Sequence, residues 1–178
     1  MLWRKKEIIF ASPVKGKLIP LSQTPDEAFA SKRFGSGFAI IPESNTIIAP
    51  TDGVVMFAFE TKHAIAIRAI NGVEYLIHVG INTYKLKGEK FKCNTTAEKS
   101  VKKGDVLIEF DLEYIKSNNL STITPIIFTN IDENLIEVIS SDNVEQGEDI
   151  FKVRRSWERR SLKWVHKKFL IKKNFLME

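Results

Sequence analysis

Of the three histidines in this 178-residue chain, His63 and His78 stand where a turn would bring them together. They lie on apolar segments either side of Asn71-Gly72, a dipeptide whose residues both tolerate positive φ. A hairpin there joins a strand beginning near His63 to one ending near His78. Counting outward from the turn sets Ala66 to His63 opposite Ile77 to Val79 or slightly beyond, within reach of ring contact. Two neutral imidazoles in contact can offer each other one donor and one acceptor, leaving an outward nitrogen free to attack an electrophile. That is the chemistry of a covalent histidine catalyst. After His78 the chain runs Val79-Gly80-Ile81-Asn82-Thr83, and Gly80 lets it leave the strand with backbone N–H groups turned toward a bound phosphoryl group. Thr61, two residues before His63, places a hydroxyl on the same face to orient that ring. A lone histidine at a strand end is more often structural than catalytic, so the pairing is what gives these two meaning. The third, His166, sits in a basic terminal segment far in sequence from other candidate groups.

The elements that must position this pair read as strands. Short apolar segments rich in Val, Ile and Phe recur at 14–20, 38–41, 46–48, 54–59, 64–70, 73–79, 106–110, 123–128, 136–139 and 150–153, punctuated by Gly, Pro, Asn and Asp. This pattern predicts an all-β body, a compact antiparallel β-sandwich or partly closed barrel. Two short helices accompany it: 25–30, opened by Thr24 with Pro25 at its first position, and 111–118, capped by Asp111. Ala-Ser-Pro-Val-Lys-Gly at 11–16 and Ala-Pro-Thr-Asp-Gly at 49–53 form a weak internal echo, either a duplicated unit or two similar turns.

A hydrophobic fraction of 43% suffices for one sizeable core. A single cysteine, Cys93, excludes an internal disulfide and a cysteine-based zinc site and suits a reducing cytoplasm. Residues 1–10 are too short in apolar length for a signal peptide, and no run approaches the roughly 18 apolar residues of a membrane span. From Arg154 onward nine basic residues face two acids, a local charge of +7, so the first 153 residues carry −2 of the total +5. The body is therefore no nucleic-acid binder. The division expected is a β body at 1–153 and a basic tail at 154–178, helical or disordered. Leu162, Val165 and Phe169 fall at helical spacing with Trp164 beside them, a pattern suited to an anionic membrane surface at the inner face; a helix packed on the body or a solvated end are the plainer readings.

Phe59-Glu60-Thr61-Lys62-His63-Ala64, then Ile77-His78-Val79-Gly80-Ile81-Asn82-Thr83 and Leu86-Lys87-Gly88-Glu89-Lys90-Phe91, resemble the signature of glucose-type IIA components of the bacterial phosphotransferase system. Ala49-Pro50-Thr51-Asp52-Gly53, Val101-Lys102-Lys103-Gly104-Asp105 and Leu120-Ser121-Thr122-Ile123-Thr124-Pro125 with Asn130 extend the resemblance over about residues 8 to 153. It implies a phosphotransferase in which His78 takes phosphate from the histidine phosphocarrier protein. His78 then passes it to a IIB domain for sugar uptake, with His63 as supporting ring and regulatory target proteins as further partners. Phe38 and Phe59 are expected to edge a partner-sized apolar depression, though either fits a core equally. Ser36 and Asn82 stand where the family usually carries aspartates, which leaves two active-site carboxylates missing and partner recognition and discharge altered.

Three other readings compete. A zinc metallopeptidase would use His63 and His78 as ligands, but a third is lacking because Gly80 stands where a His-x-His pair needs histidine; zinc would bind only adventitiously or with a partner's carboxylate, and no cofactor is expected. A transfer-inactive regulatory module is motivated by the missing acids, against which His63, His78 and Thr61 are all present. A biotinyl or lipoyl carrier lacks a lysine in the matching hairpin.

Overall fold

Strands covered on both faces have no polar side to show, and the central segments of this chain run apolar without alternation. The computed structural model, which describes residues 7–140 and 142–154, forms them into strands β1 (Glu7–Ala11), β2 (Gly16–Pro20), β3 (Ser36–Pro42), β4 (Thr46–Ile48), β5 (Gly53–Ala58), β6 (Ala64–Ala69), β7 (Glu74–His78), β8 (Phe91–Cys93), β9 (Ser100–Val101), β10 (Val106–Phe110), β11 (Thr124–Phe128), β12 (Ile136–Val138), β13 (Asn143–Val144) and β14 (Asp149–Arg154). Helices α1 (Glu27–Ala30) and α2 (Leu112–Ser117) are short. An eight-stranded sheet in the order β13-β2-β3-β11-β7-β6-β5-β9 faces two three-stranded sheets, β4-β10-β8 and β1-β14-β12. Every pairing among the described residues is antiparallel, and within them the large sheet keeps two open edges, so the body is a sandwich and not a closed barrel.

Strand parity sorts the core into two layers. Ile65 and Ile67 of β6, Tyr75 and Ile77 of β7, and Ile126 and Phe128 of β11 point to the inner layer, where Phe10, Ile47, Leu107 and Phe151 from the small sheets meet them. Ala64, Ala66, Leu76 and Ile127 point outward, covered by Leu21, Phe29 and Phe34 around α1. His78 shares the parity of Leu76, so it stands on this outer face.

Both helices are present, but α1 begins later than the sequence predicts. Thr24 turns its hydroxyl back to the Leu21 carbonyl at 2.7 Å, and Asp26 instead caps the helix, accepting from the N–H groups of Ala28 and Phe29. Asp111 caps α2 as expected, accepting from Tyr114 N–H at 3.0 Å. The strands β1, β8, β9 and β13 were not among the predicted segments; the last three hold two or three residues, too few to show a period. Arg154 completes β14, paired with Glu7 and bonded to it at 2.9 Å, so the first residue of the predicted tail belongs to the sheet. The remainder of that tail, with His166 and the Leu162, Val165 and Phe169 stripe, lies outside the described residues.

Candidate active site

The hairpin β6–β7 pairs Ala64 with His78 and Ile65 with Ile77, which sets His63 diagonally beyond His78. Its turn uses Asn71 differently from expectation. Only Gly72 takes positive φ, +84°, while the Asn71 Oδ1 accepts from Val73 N–H at 3.1 Å as an Asx turn. Residue 63 lies just before β6, and the left-handed backbone of Lys62, φ 59°, lets its ring reach the His78 side of the sheet. The two imidazoles meet edge to face, centroids 4.6 Å apart and planes at 77°. Thr61 Oγ1 stands 2.6 Å from His63 Nδ1, and the Gly80 carbonyl 2.7 Å from His78 Nδ1.

These contacts determine which nitrogen can react. Burial pushes His78 down to about 4, against the opposing pull of the Gly80 carbonyl and the Asp26 carboxylate. Burial, with the neighbouring His78, pushes His63 down to about 2. Both rings are therefore neutral at pH 7. A carbonyl oxygen only accepts, so the His78 Nδ1 carries the proton and Nε2 keeps its lone pair. His63 Nε2 is buried and has no hydrogen-bond partner among the described residues. Packed around the pair are Phe29, 5.3 Å from His78, Phe59, 5.4 Å from His63, and the half-buried Tyr84, 6.4 Å from His63.

Gly80 is the pivot. Its φ is +70°, and a Cβ there would lie 2.5 Å from Thr83 Cγ2 and 2.8 Å from the Ser121 carbonyl oxygen. Asn82 is exposed and left-handed, φ 60°, opening the 3-10 turn Thr83–Leu86. Thus Thr61, His63, His78 and Gly80 form one chain of contacts, and the exposed Asn82 follows Gly80 by two residues.

Two predicted residues lie elsewhere. Ser36 pairs with Phe128, which pairs with Tyr75, three residues along from the His78 row, or about 10 Å along the strand. Its parity is that of Phe38 and Ile40, toward the inner layer, so it does not stand for a missing site carboxylate. Phe38 is likewise inner core, its ring 4.1 Å from Phe151, and does not edge the site. Phe59 does touch His63, but at 3% exposure it is a wall and not an open surface. Conversely, Asp26, Phe29 and Tyr84 were missed. The Asp26 signal was present as an acid preceding Glu27-Ala28-Phe29-Ala30, hidden by the stronger Thr-Pro start signal beside it.

Residues 8–134 match the family model described as phosphoenolpyruvate-dependent sugar phosphotransferase system, EIIA 1. The chain belongs to this family. Among EIIA relatives, the glucosamine-specific EIICBA component of Bacillus subtilis is 48% identical over 124 residues, 70% of this chain and 20% of that protein. The glucose-specific EIIA component of Oceanobacillus iheyensis is 43% identical over 146 residues, covering 81% of this chain and 88% of that protein. The chain thus spans about a fifth of the length of the EIICBA relatives and most of the single-component one. A solved EIIA structure, the glucose permease IIA from Mycoplasma capricolum, superposes with a TM-score of 0.79 at 36% identity, covering 85% of this chain and 99% of that one. No helix of the described residues is long and apolar enough to cross a membrane.

Proposed function

We propose that this chain is a cytoplasmic phosphoryl carrier of the EIIA type, in which His78 Nε2 accepts phosphate from a histidine phosphocarrier protein and donates it to the IIB domain of a sugar permease. The observation that carries the reading is the hydrogen bond from His78 Nδ1–H to the Gly80 carbonyl beside a second buried imidazole. The Nε2 lone pair attacks phosphorus, an N–P bond forms, and the donor's N–P bond breaks with its electron pair returning to the donor imidazole. The His78 ring then bears positive charge while Nδ1–H stays on the Gly80 carbonyl, whose dipole stabilises it. If the Thr61 hydroxyl donates to His63 Nδ1, the proton of His63 resides on Nε2 and meets a phosphoryl oxygen. In discharge, a IIB cysteine thiolate attacks phosphorus and the electron pair returns to Nε2.

Incubation with phosphoenolpyruvate, the general first enzyme and the histidine phosphocarrier should place one acid-labile phosphate on His78, read by mass spectrometry of the intact chain and its peptides. His78→Gln should take up none, whereas His63→Gln should charge but discharge slowly. Label persisting in His78→Gln would overturn the reading.

The body at 1–153 is the carrier, and its histidine face would also present phosphorylation state to regulatory target proteins. The basic segment 154–178 is proposed as a contact for anionic membrane, on its charge of +7 and its aromatic residues. Full-length protein should then bind phosphatidylglycerol vesicles more tightly than a chain ending at Arg154, and equal binding would discard the role. Zinc has two imidazole donors here and, among the described residues, no group of three metal-binding side chains, so a partner would have to complete its coordination.

A further inference from the structure

We propose that Thr124 is a positioning residue that fixes the tautomer of His78, acting through the Gly80 backbone. This rests on the carrier reading of His78 and extends it to a residue on another strand. The peptide unit between Gly80 and Ile81 has a polar contact at each end. Its carbonyl accepts from His78 Nδ1–H at 2.7 Å, and its N–H donates to the Ser121 carbonyl at 2.9 Å. The preceding unit is tied as well, because Gly80 N–H donates to Thr124 Oγ1 at 3.4 Å. Thr124 is fully buried, and its own hydroxyl proton goes to the Thr122 carbonyl at 3.0 Å, which leaves a lone pair toward Gly80.

The segment 121–124 therefore clamps both peptide groups that flank the Gly80 α-carbon. Ile123 N–H donates to Ser121 Oγ, holding the clamp in shape. A glycine at φ +70° has wide backbone freedom when unheld, and rotation of its peptide would take the carbonyl away from His78. Without that acceptor, nothing holds the ring proton on Nδ1, and proton residence on Nε2 would remove the attacking lone pair. The chain of bonds from His78 through Gly80 and Ile81 to Ser121 is also aligned for mutual polarisation, which makes the Gly80 oxygen a better acceptor. Thr124 thus contributes to reactivity without approaching the phosphoryl group.

The test compares Thr124→Val, which keeps shape and removes the hydroxyl, with Thr124→Ser, which keeps the hydroxyl. Ring nitrogen-15 shifts of His78 in the unphosphorylated chain read the tautomer, and quench-flow phosphorylation by the charged histidine phosphocarrier reads the rate. In Thr124→Val the Nδ1–H tautomer should lose population and the maximal rate should fall about tenfold with little change in KM. Thr124→Ser should restore both. A Thr124→Val chain that folds, retains the Nδ1–H spectrum and charges at the normal rate overturns the proposal. So does a rate loss in step with melting temperature while the tautomer stays intact. Charging of the unaltered chain on His78 is a separate measurement, so failure of the carrier reading is told apart from failure of the clamp.

Discussion

A left-handed backbone at Asn82 decides what can be learned from that residue. Asn and Asp both enter this conformation at little cost, so Asn82→Asp changes charge with little change in shape. At about 4 Å from a phosphoryl dianion an added carboxylate costs about 1 kcal/mol per charge pair in fully aqueous surroundings and about 4 kcal/mol at the lower dielectric near a protein surface, screened by salt. Phosphorylated Asn82→Asp should therefore discharge to a IIB acceptor a few times faster at low ionic strength, and the gain should shrink in 0.5 M salt; equal rates at both salts would show that charge here does not matter to discharge. The histidine pair was legible in the sequence because a short turn keeps its two strands adjacent. The loop takes in Ile70 as well as Asn71-Gly72, so Ala66 faces Leu76 and not Ile77, and the register differs by one residue from the one counted. Ser36 was misread because its family position says nothing of which face a strand turns toward the site. Asp26 could be read as a helix cap but not as a site residue, because its approach to His78 depends on how α1 lies on the sheet, a contact between elements far apart in sequence.

Elements bring the site together through loops held from outside. Gly80→Ala would combine left-handed strain with a Cβ 2.5 Å from Thr83 Cγ2 and 2.8 Å from a backbone oxygen that cannot retreat without releasing Ile81. Such a change should lower stability by about 2 kcal/mol or more, seen as a reduced urea midpoint. The hairpin turn has its own support, since the Asn130 side chain bonds both Glu74 N–H and the Gly72 carbonyl. Sequence periodicity located the long strands, since five or six consecutive apolar residues between turns have few other readings. It missed β9 and β13, whose two residues are strands only because β5 and β2 lie beside them. The start of α1 went astray for a related reason, because Thr24 had two backbone groups within reach of its hydroxyl and local sequence does not rank them.

At the scale of the whole molecule, two uncharged imidazoles are built into the outer apolar layer, and this links stability to pH. Above about 6.5 the histidines are neutral in folded and unfolded chains alike and contribute no pH dependence. Below it the unfolded chain binds protons that His63, held near 2, and His78, held near 4, refuse. Stability should then fall with falling pH from about 6.5 toward 4, by up to about 1.4 kcal/mol per unit for each ring. Urea titrations at pH 7 and pH 5 should show the loss, and His63→Gln should roughly halve its slope; a flat profile would mean that the rings are more hydrated than their packing implies. The opposite layer carries a different consequence. Glu7 and Arg154 are neighbours across β1 and β14, on the small sheet that the inner core separates from the histidine face. The two residues that bound the described body thus lie side by side across the core from the histidines, so a short linker would join them without crossing that face.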